Sequence, residues 1–391
     1  MNNFEFYSPT KVIFGKGVVS RLGAEAAEIG KKALLVYGLE SIKKSGLYDQ
    51  VLKQCADAGI GLIEHSGVSP NPVVHHAEEG VRKAREGRVD FILAVGGGSV
   101  IDEAKAIAAG AANDAAIWDL AMKKASIDTA LPVVAVQTLP ATSSETNQVG
   151  VLTNEKTNEK VGIRSPLIVP VKSFLDPELT FTIPKKYTAY ACFDIMSHML
   201  EGYFTMTAEF APVHEGFVEG LVSAVMASLE RIMKNPADFD ARAAVMWAGA
   251  LAWNGIANAG LEGAMIPNHM LEHPLSAVYD VSHGAGLAVV FPAWLEYKKG
   301  EITGRILRFG EKILGMKDLT GDNDSLEAAD KVIERFRTWI ASVGCPLTMR
   351  ELGIENPDID ELVKQAGTLC RLWGIPDYTA EDLEAIYRSC V

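Results

Sequence analysis

Phe91-Ile92-Leu93-Ala94-Val95 runs without a break into Gly96-Gly97-Gly98-Ser99. Consecutive apolar residues leave no polar face. A strand built from them must be covered on both sides, as in parallel sheets wrapped by helices. The glycines then allow a tight turn into a helix, expected from Val100 to Ala109. The free N–H groups and positive dipole end of that helix would face whatever rests on the loop. The spacing is neither G-x-G-x-x-G nor a Walker loop, since no G-K-[ST] follows. A plain strand–helix turn is the simplest alternative. Asp102, in the same helix, is either an acid favoured by the dipole of the first turn or a ligand contact.

The same unit recurs. Ala33–Tyr37 stops at Gly38, a helical stretch runs through Tyr48, Val51, Leu52 and Cys55, and Gly61–Glu64 follows. After the loop Ser69-Pro70-Asn71-Pro72 comes a helix around Ala77–Arg85. A further apolar run is Pro132–Val136. Buried strands alternating with helices predict a parallel sheet with right-handed crossovers. Thr138-Leu139-Pro140-Ala141-Thr142-Ser143-Ser144-Glu145 follows the last of these strands. Its hydroxyls lie where ligands bind in such sheets, although Ser143 or Ser144 could equally start a helix. Two such loops after two buried strands favour a nucleotide. After about residue 185 helical patterns take over: Glu215–Lys234, Ala241–Ala259, Ser325–Val343 and Ala380–Ser389. The chain therefore divides near Pro184, into an α/β nucleotide-binding domain (1–184) and an all-helical domain (185–391).

Charge excludes one class of partner. Fifty acids against 37 bases give −13, a balance that repels a phosphate backbone, so no nucleic acid is expected. The five cysteines are sparse and form no C-x-x-C pair, as suits a reducing, cytoplasmic setting. Met1-Asn2-Asn3-Phe4-Glu5 lacks a secretory signature, and no apolar run is long enough to cross a membrane.

The second half carries Asp194-x-x-x-His198, then His269-x-x-x-His273 and His283-Gly284. Residues four apart share a helix face. One carboxylate and several imidazoles suit a divalent cation such as Fe²⁺ or Zn²⁺. No H-E-x-x-H occurs. His65, His75, His76 and His214 have no such company and read as surface or structural residues.

Taken in order, these pieces resemble the iron-containing, or group III metal-dependent, alcohol dehydrogenases. The likeness begins at Ser8–Gly17 and runs through Pro70-Asn71-Pro72, Gly96–Ser99, Thr138–Thr142 and Leu175-Asp176-Pro177 to the Asp194/His198 and His269/His273/His283 sets. It is nearest to the butanol dehydrogenase and broad-specificity aldehyde reductase branch. The resemblance implies a dehydroquinate synthase-like architecture. It implies Asp194, His198, His269 and His283 as metal ligands, with His273 beside the metal as a catalytic, proton-relaying group, since an imidazole ordinarily titrates near neutrality. It implies Gly96, Gly97, Gly98 and Ser99 as the pyrophosphate loop. Asp102, Thr138, Thr142 and Lys160 would line the cofactor, with Asn71 on its adenosine side. The activity implied is the interconversion of short primary alcohols, such as butanol, and aldehydes by hydride transfer. Three neutral imidazoles and one carboxylate would leave the metal site net positive, favouring an alkoxide.

Gly38, Glu40 and Ser41 would lie near the adenosine ribose. Relatives that use NADPH often carry Gly-Gly-Gly-Ser there. A carboxylate at Glu40 suits a ribose 2′-hydroxyl and repels a 2′-phosphate, which favours NAD(H) over NADP(H). Lys43 and Lys44 oppose that, since either could reach a phosphate. Phe204, Trp253, Met265 and Ile266 are candidates for an apolar pocket, although such residues more often form core. Alternative readings are a glycerol dehydrogenase-like polyol enzyme, a dehydroquinate synthase, or a metal- and nucleotide-binding protein without turnover. The mostly apolar stretch Ala248–Ser276 argues against the synthase. Phe4-x-Phe6-Tyr7 and Val12-Ile13-Phe14 look like strands in need of a partner, and a homodimer is expected.

Overall fold

The computed structural model describes residues 1–317, 326–375 and 378–391. It divides into two compact units. One comprises Tyr7–Ile183 with Pro236–Asn254; the other comprises Met1–Phe6, Pro184–Asn235 and Gly255–Val391.

The first unit is built on a parallel six-stranded sheet. Its strands are β1 (Lys11–Phe14), β2 (Lys32–Tyr37), β3 (Gly61–Ser66), β4 (Phe91–Gly96), β5 (Val133–Gln137) and, beyond the hairpin β6 (Val149–Asn154) and β7 (Glu159–Arg164), β8 (Lys172–Leu175). Their spatial order is β1-β8-β5-β4-β2-β3. The central strands β4 and β5 are buried along their whole length, and β2 everywhere except its first residue, so their runs of Leu, Val and Ala satisfy both faces. The edge strand β3 is mostly exposed or half-buried, and it carries the mixed sequence GLIEHS. Short helices α1 (Leu22–Ala26), α2 (Ser41–Lys44) and α6 (Ile117–Ala121) accompany the longer α3 (Leu47–Asp57), α4 (Val74–Gly87) and α5 (Gly98–Ala112). Alanine dominates α5, which is buried on nearly every side. Side chains this small let β4 and α4 approach it closely.

From Pro184 onward every regular element among the described residues is helical: α7 (Lys185–Thr205), α8 (Pro212–Lys234), α9 (Phe239–Ala252), α10 (Pro267–Tyr279), α11 (His283–Lys312), α12 (Leu326–Ser342), α13 (Ile359–Trp373) and α14 (Ala380–Ser389), with short 3₁₀ turns between. In the second unit Phe193, Phe204, Phe291, Trp294, Phe309 and Phe336 stack edge-to-face or in parallel into one aromatic core. Phe204 is therefore core and not pocket lining.

Several expectations change. The helix expected over Ala241–Ala259 stops at Ala252, because Gly255 adopts a left-handed φ of 99° that no continuing helix accepts. That helix, α9, belongs to the first unit, where Met246 and Ala250 pack on Leu175 and Trp247 meets Phe14 edge-on. No helix starts at Ser143, whose own φ is 52°. Phe4–Tyr7 forms no strand. Asn2 N–H donates to Gly260 O at 2.9 Å and the Phe4 ring lies on Gly260, which holds the segment to a loop. Ser325, where the sequence starts the helix seen as α12, lies outside the described residues.

Candidate metal centre and nucleotide loop

The metal candidates lie on three helices of the second unit. Asp194 and His198 are one turn apart on α7, His269 and His273 one turn apart on α10, and His283 opens α11. Asp194 Oδ1 stands 3.6 Å from His269 Nε2 and 3.7 Å from His283 Nε2, and a ring nitrogen of His198 lies within 4.8 Å of ligand atoms of Asp194 and His269. Donors around a tetrahedral ion at about 2.1 Å stand roughly 3.4 Å apart, so this oxygen and these rings have the spacing of a shared ligand shell. Asp194, His198, His269 and His273 are all nearly sealed from solvent.

His198, His269 and His283 each have one nitrogen committed elsewhere. His198 Nδ1 donates to the Asp194 carbonyl at 2.9 Å. His269 Nδ1 donates to Glu201 Oε2 at 2.6 Å, and Glu201 Oε1 takes the His269 backbone N–H at 2.9 Å. His283 Nδ1 donates to Glu272, which also accepts from the Ser276 hydroxyl. The tautomers of the three rings are thus set by carbonyl and carboxylate partners, which makes Nε2 of each the nitrogen that could hold a metal. Glu201 and Glu272 are fully buried.

Close backbone approach puts His283 in place. A Cβ on Gly284 would collide with the Tyr190 carbonyl oxygen on α7, and one on Gly286 would come within 2.6 Å of Glu272 Oε1. Only glycine lets α11 begin so near both helices. His273 lies beside this shell. Its ring centroid is 5.6 Å from that of His283 and 6.5 Å from that of His269, and it meets Trp373 edge-on at 5.0 Å.

The electrostatics follow from burial and charge. Burial alone would raise Asp194, but His198, His283 and His269 hold it well below the carboxylate range. Burial presses His198 down to about 3. The same burial is overcome at His269, which Glu201 and Asp194 push up to about 10. Three carboxylates, Asp194, Glu201 and Glu272, surround the three imidazoles. The candidate site therefore has two acidic partners, Glu201 and Glu272, beyond the carboxylate of Asp194.

In the first unit, Gly97 leads from β4 into α5. A Cβ on Gly98 would sit 2.5 Å from Thr142 Oγ1, so the glycine loop and the hydroxyl loop touch. Thr138 N–H donates to Gly96 O at 3.0 Å, closing the same pair of loops. The helix starts earlier than the sequence suggests, so Asp102 falls in the second turn. It is buried, and its Oδ1 accepts from the Ser144 hydroxyl at 2.5 Å, so a protein partner replaces the dipole role. Burial also raises Asp102. Lys105, which the sequence reading passed over, lies fully buried below the loop. Burial lowers it to about 7 despite Asp102 and Glu145, and its Nζ donates to Asn147 Oδ1 at 2.8 Å and to Val149 O at 2.7 Å. Asn71 and Lys160 come together, with Lys160 Nζ donating to Asn71 Oδ1 at 3.2 Å. Ser99 donates to the Pro70 carbonyl.

Gly38 and Ser41 flank the exposed Leu39 and Glu40 after β2, and Ser41 opens α2. Lys43 is drawn onto two aromatic faces, 5.5 Å from the Tyr37 ring and 5.3 Å from the Tyr48 ring. Both phenols donate to Glu64, at 2.6 Å and 2.9 Å.

Comparison with known proteins agrees across the chain. Residues 9–177 match the family model described as iron-containing alcohol dehydrogenase, and residues 188–391 match the C-terminal model of the Fe-containing alcohol dehydrogenase family. A probable NADH-dependent butanol dehydrogenase of Bacillus subtilis (strain 168) is 40% identical over 366 residues, 94% of each chain. The NADPH-dependent aldehyde reductase YqhD of Escherichia coli (strain K12) is 34% identical over 93% of each. The crystal structure of NADH-dependent butanol dehydrogenase A from Thermotoga maritima superimposes with a TM-score of 0.94 at 39% identity, covering 100% of this chain and 99% of that one.

Proposed function

The chain belongs to the iron-containing alcohol dehydrogenase family, and from that premise we propose that it interconverts short primary alcohols and aldehydes, using a nicotinamide cofactor and one divalent metal. It is an NAD(P)-dependent alcohol dehydrogenase that also runs as an aldehyde reductase. The observation that carries the metal half is the shell around Asp194 Oδ1, in which three rings already have their tautomers set. Bound there by Asp194, His198, His269 and His283, a divalent ion would polarise the substrate oxygen and position its carbon. The cofactor would accept or deliver the hydride.

This chain's own residues do the remaining work. Glu201 and Glu272 hold His269 and His283 in the ligating tautomer. His273, nearly sealed and beside the shell, passes the proton between the substrate oxygen and solvent. The loop Gly96–Ser99, with Thr138 and Thr142, cradles the pyrophosphate at the start of α5. Gly38, Glu40 and Ser41 take the adenosine ribose, and Asn71 and Lys160 lie on the same side.

Within that activity we read NADH as the preferred cofactor. Glu40 disfavours a 2′-phosphate, and Lys43, one of the two lysines that could answer it, is engaged by Tyr37 and Tyr48. Butanol and butanal are the proposed test substrates, and Fe²⁺ or Zn²⁺ the proposed metal. A homodimer is the proposed assembly. β1 is an edge strand, and Phe14 on it is 39% exposed.

One experiment tests the reading. Nicotinamide absorbance is followed with butanol and with butanal, before chelation, after it, and after return of Fe²⁺ or Zn²⁺. Activity should vanish and return with metal, faster with NADH than with NADPH. Absence of metal-dependent turnover with any short alcohol or aldehyde would defeat it.

A further inference from the structure

Three titratable side chains that the function does not absorb meet inside the first unit. Glu103 follows Asp102 on α5 and is wholly buried, as is His65 on β3. His76, on α4, donates from Nδ1 to Glu103 Oε1 at 2.7 Å, and His65 donates from Nε2 to the same oxygen at 2.9 Å. The two rings stack with centroids 4.2 Å apart. Two imidazoles and a carboxylate could hold a metal, but the spacing decides otherwise. Donors across a tetrahedral ion stand roughly 3.4 Å apart, as around Asp194 Oδ1, whereas these lie at hydrogen-bond distance.

The other nitrogen of His76 fixes its charge. Nε2 faces the Ser66 carbonyl oxygen at 3.1 Å. A carbonyl only accepts, and so does an ionised Glu103. Serving both requires a proton on each ring nitrogen, which makes His76 an imidazolium. The hydrogen bond to Glu103 raises His76 above the ordinary imidazole value against the opposing effect of burial, and Glu79 on the same helix adds to the rise. Among the described residues, His65 of β3 stacks on His76 and shares Glu103 Oε1.

Ser66 is the last residue of β3. The segment after it is tied to the Gly38 loop, to the glycine loop and to the β6–β7 hairpin that carries Lys160. Gly67 N–H donates to Gly38 O at 3.1 Å, Ser99 donates to Pro70 O, Lys160 donates to Asn71, and Thr153 N–H donates to Pro72 O at 2.8 Å. His76 therefore anchors the start of this segment to α5, the helix that opens on the glycine loop.

We propose that Glu103 and doubly protonated His76 act as a positioning pair, holding the Gly67–Pro72 segment in the geometry that binds the nicotinamide dinucleotide, so that deprotonation of His76 weakens cofactor binding without touching the chemical step. A neutral imidazole can donate to only one of its two acceptors. Above the pKa of His76, either Ser66 or Glu103 loses its hydrogen bond to that ring, and Glu103 keeps only His65 as a ring partner. The proposal rests on the dinucleotide reading given above.

The test is a fluorescence titration of NADH from about pH 6 to about pH 9, the range an imidazole spans. In the wild type, Kd should rise by about tenfold as His76 deprotonates, the scale of one charge-assisted hydrogen bond. In His76→Gln the response should be flat and the binding weak throughout, with metal content and kcat at saturating NADH unchanged. A wild-type slope in that variant, or equal losses of kcat and metal, overturns the proposal. If the variant does not fold, the wild type decides. NADH must raise the pKa of His76 read by NMR, since binding and protonation are reciprocal. An unmoved pKa overturns it. Failure of the wild type to bind either NADH or NADPH at any pH removes the dinucleotide reading and this proposal with it, whereas tight binding with no pH response removes this proposal alone.

Discussion

Glu201 on α7 grips His269 on α10 twice, through the ring Nδ1 at 2.6 Å and through the backbone N–H at 2.9 Å. One carboxylate thus sets both the tautomer of a proposed ligand and the first turn of the helix that carries it. Glu272 does the first of these for His283.

Glu272→Gln keeps the shape but removes the charge that orients His283. Metal affinity should fall by about 10–100-fold, the usual cost of losing such an outer partner. Metal content after dialysis against graded chelator measures it. Retention equal to wild type would show that His283 needs no orientation.

His269→Ala and His273→Ala should part company. Loss of a ligand takes metal and turnover together. Loss of His273 should leave metal bound while slowing turnover or altering its pH profile. Metal analysis beside steady-state kinetics separates them, and equal metal loss in both would refute the division of roles.

Gly98→Ala brings a Cβ to 2.5 Å from Thr142 Oγ1. The two loops must separate, so nucleotide binding should weaken by about tenfold or more, as for a lost charge-assisted contact. Isothermal titration with NADH reads this, and partial restoration by Thr142→Ala in the same chain would identify the collision as the cause.

Lys105→Met removes a buried cation from between Asp102 and Glu145. Breaking a buried charge cluster from one side costs about 3–5 kcal/mol. Thermal or urea unfolding should show a loss of that order, larger than for any exposed lysine such as Lys53.

Acid should loosen the β1 edge of the sheet before the centre. Glu25 is bonded by Lys11 on β1 and Lys172 on β8, and its pKa is lowered to about 2 by those two hydrogen bonds, with Arg21 adding to them. Its stabilising contribution is complete above the ordinary carboxylate value and is lost as pH falls toward 2. Glu25→Gln should therefore melt earlier than wild type at neutral pH, and the gap should close in strong acid.

Much of this was readable from the residues. Strands β2, β4 and β5 announce themselves because two buried faces demand unbroken apolar runs. The candidate cluster of Asp194, His198, His269, His273 and His283 shows in its spacing, whereas the division between ligands and His273 is what the resemblance implies. Glu201 and Glu272 were missed, although a signal existed. His198-Met199-Leu200-Glu201 and His269-Met270-Leu271-Glu272 are the same tetrapeptide, and the glutamate three places after a histidine shares its helix face. The hairpin β6–β7 was hidden because Lys160 and Thr153, buried polar residues, interrupt its alternation. His65, His76 and Glu103 were illegible for another reason. They come from a strand and two helices, and only the packing of α4 on α5 brings them together.

The placement of α9 has a consequence for how the protein is made. The backbone leaves one unit for the other after Phe6, Ile183, Asn235 and Asn254. During synthesis, a sheet complete to β8 still lacks the helix that covers Leu175. The N-terminal unit therefore finishes folding only after two long helices of its neighbour have been made. A chain cut at Ile183 should leave Leu175 and Phe14 without their covering, and should be prone to aggregate. The two units are separate in architecture but interlaced in sequence, so neither can be completed without chain that belongs to the other.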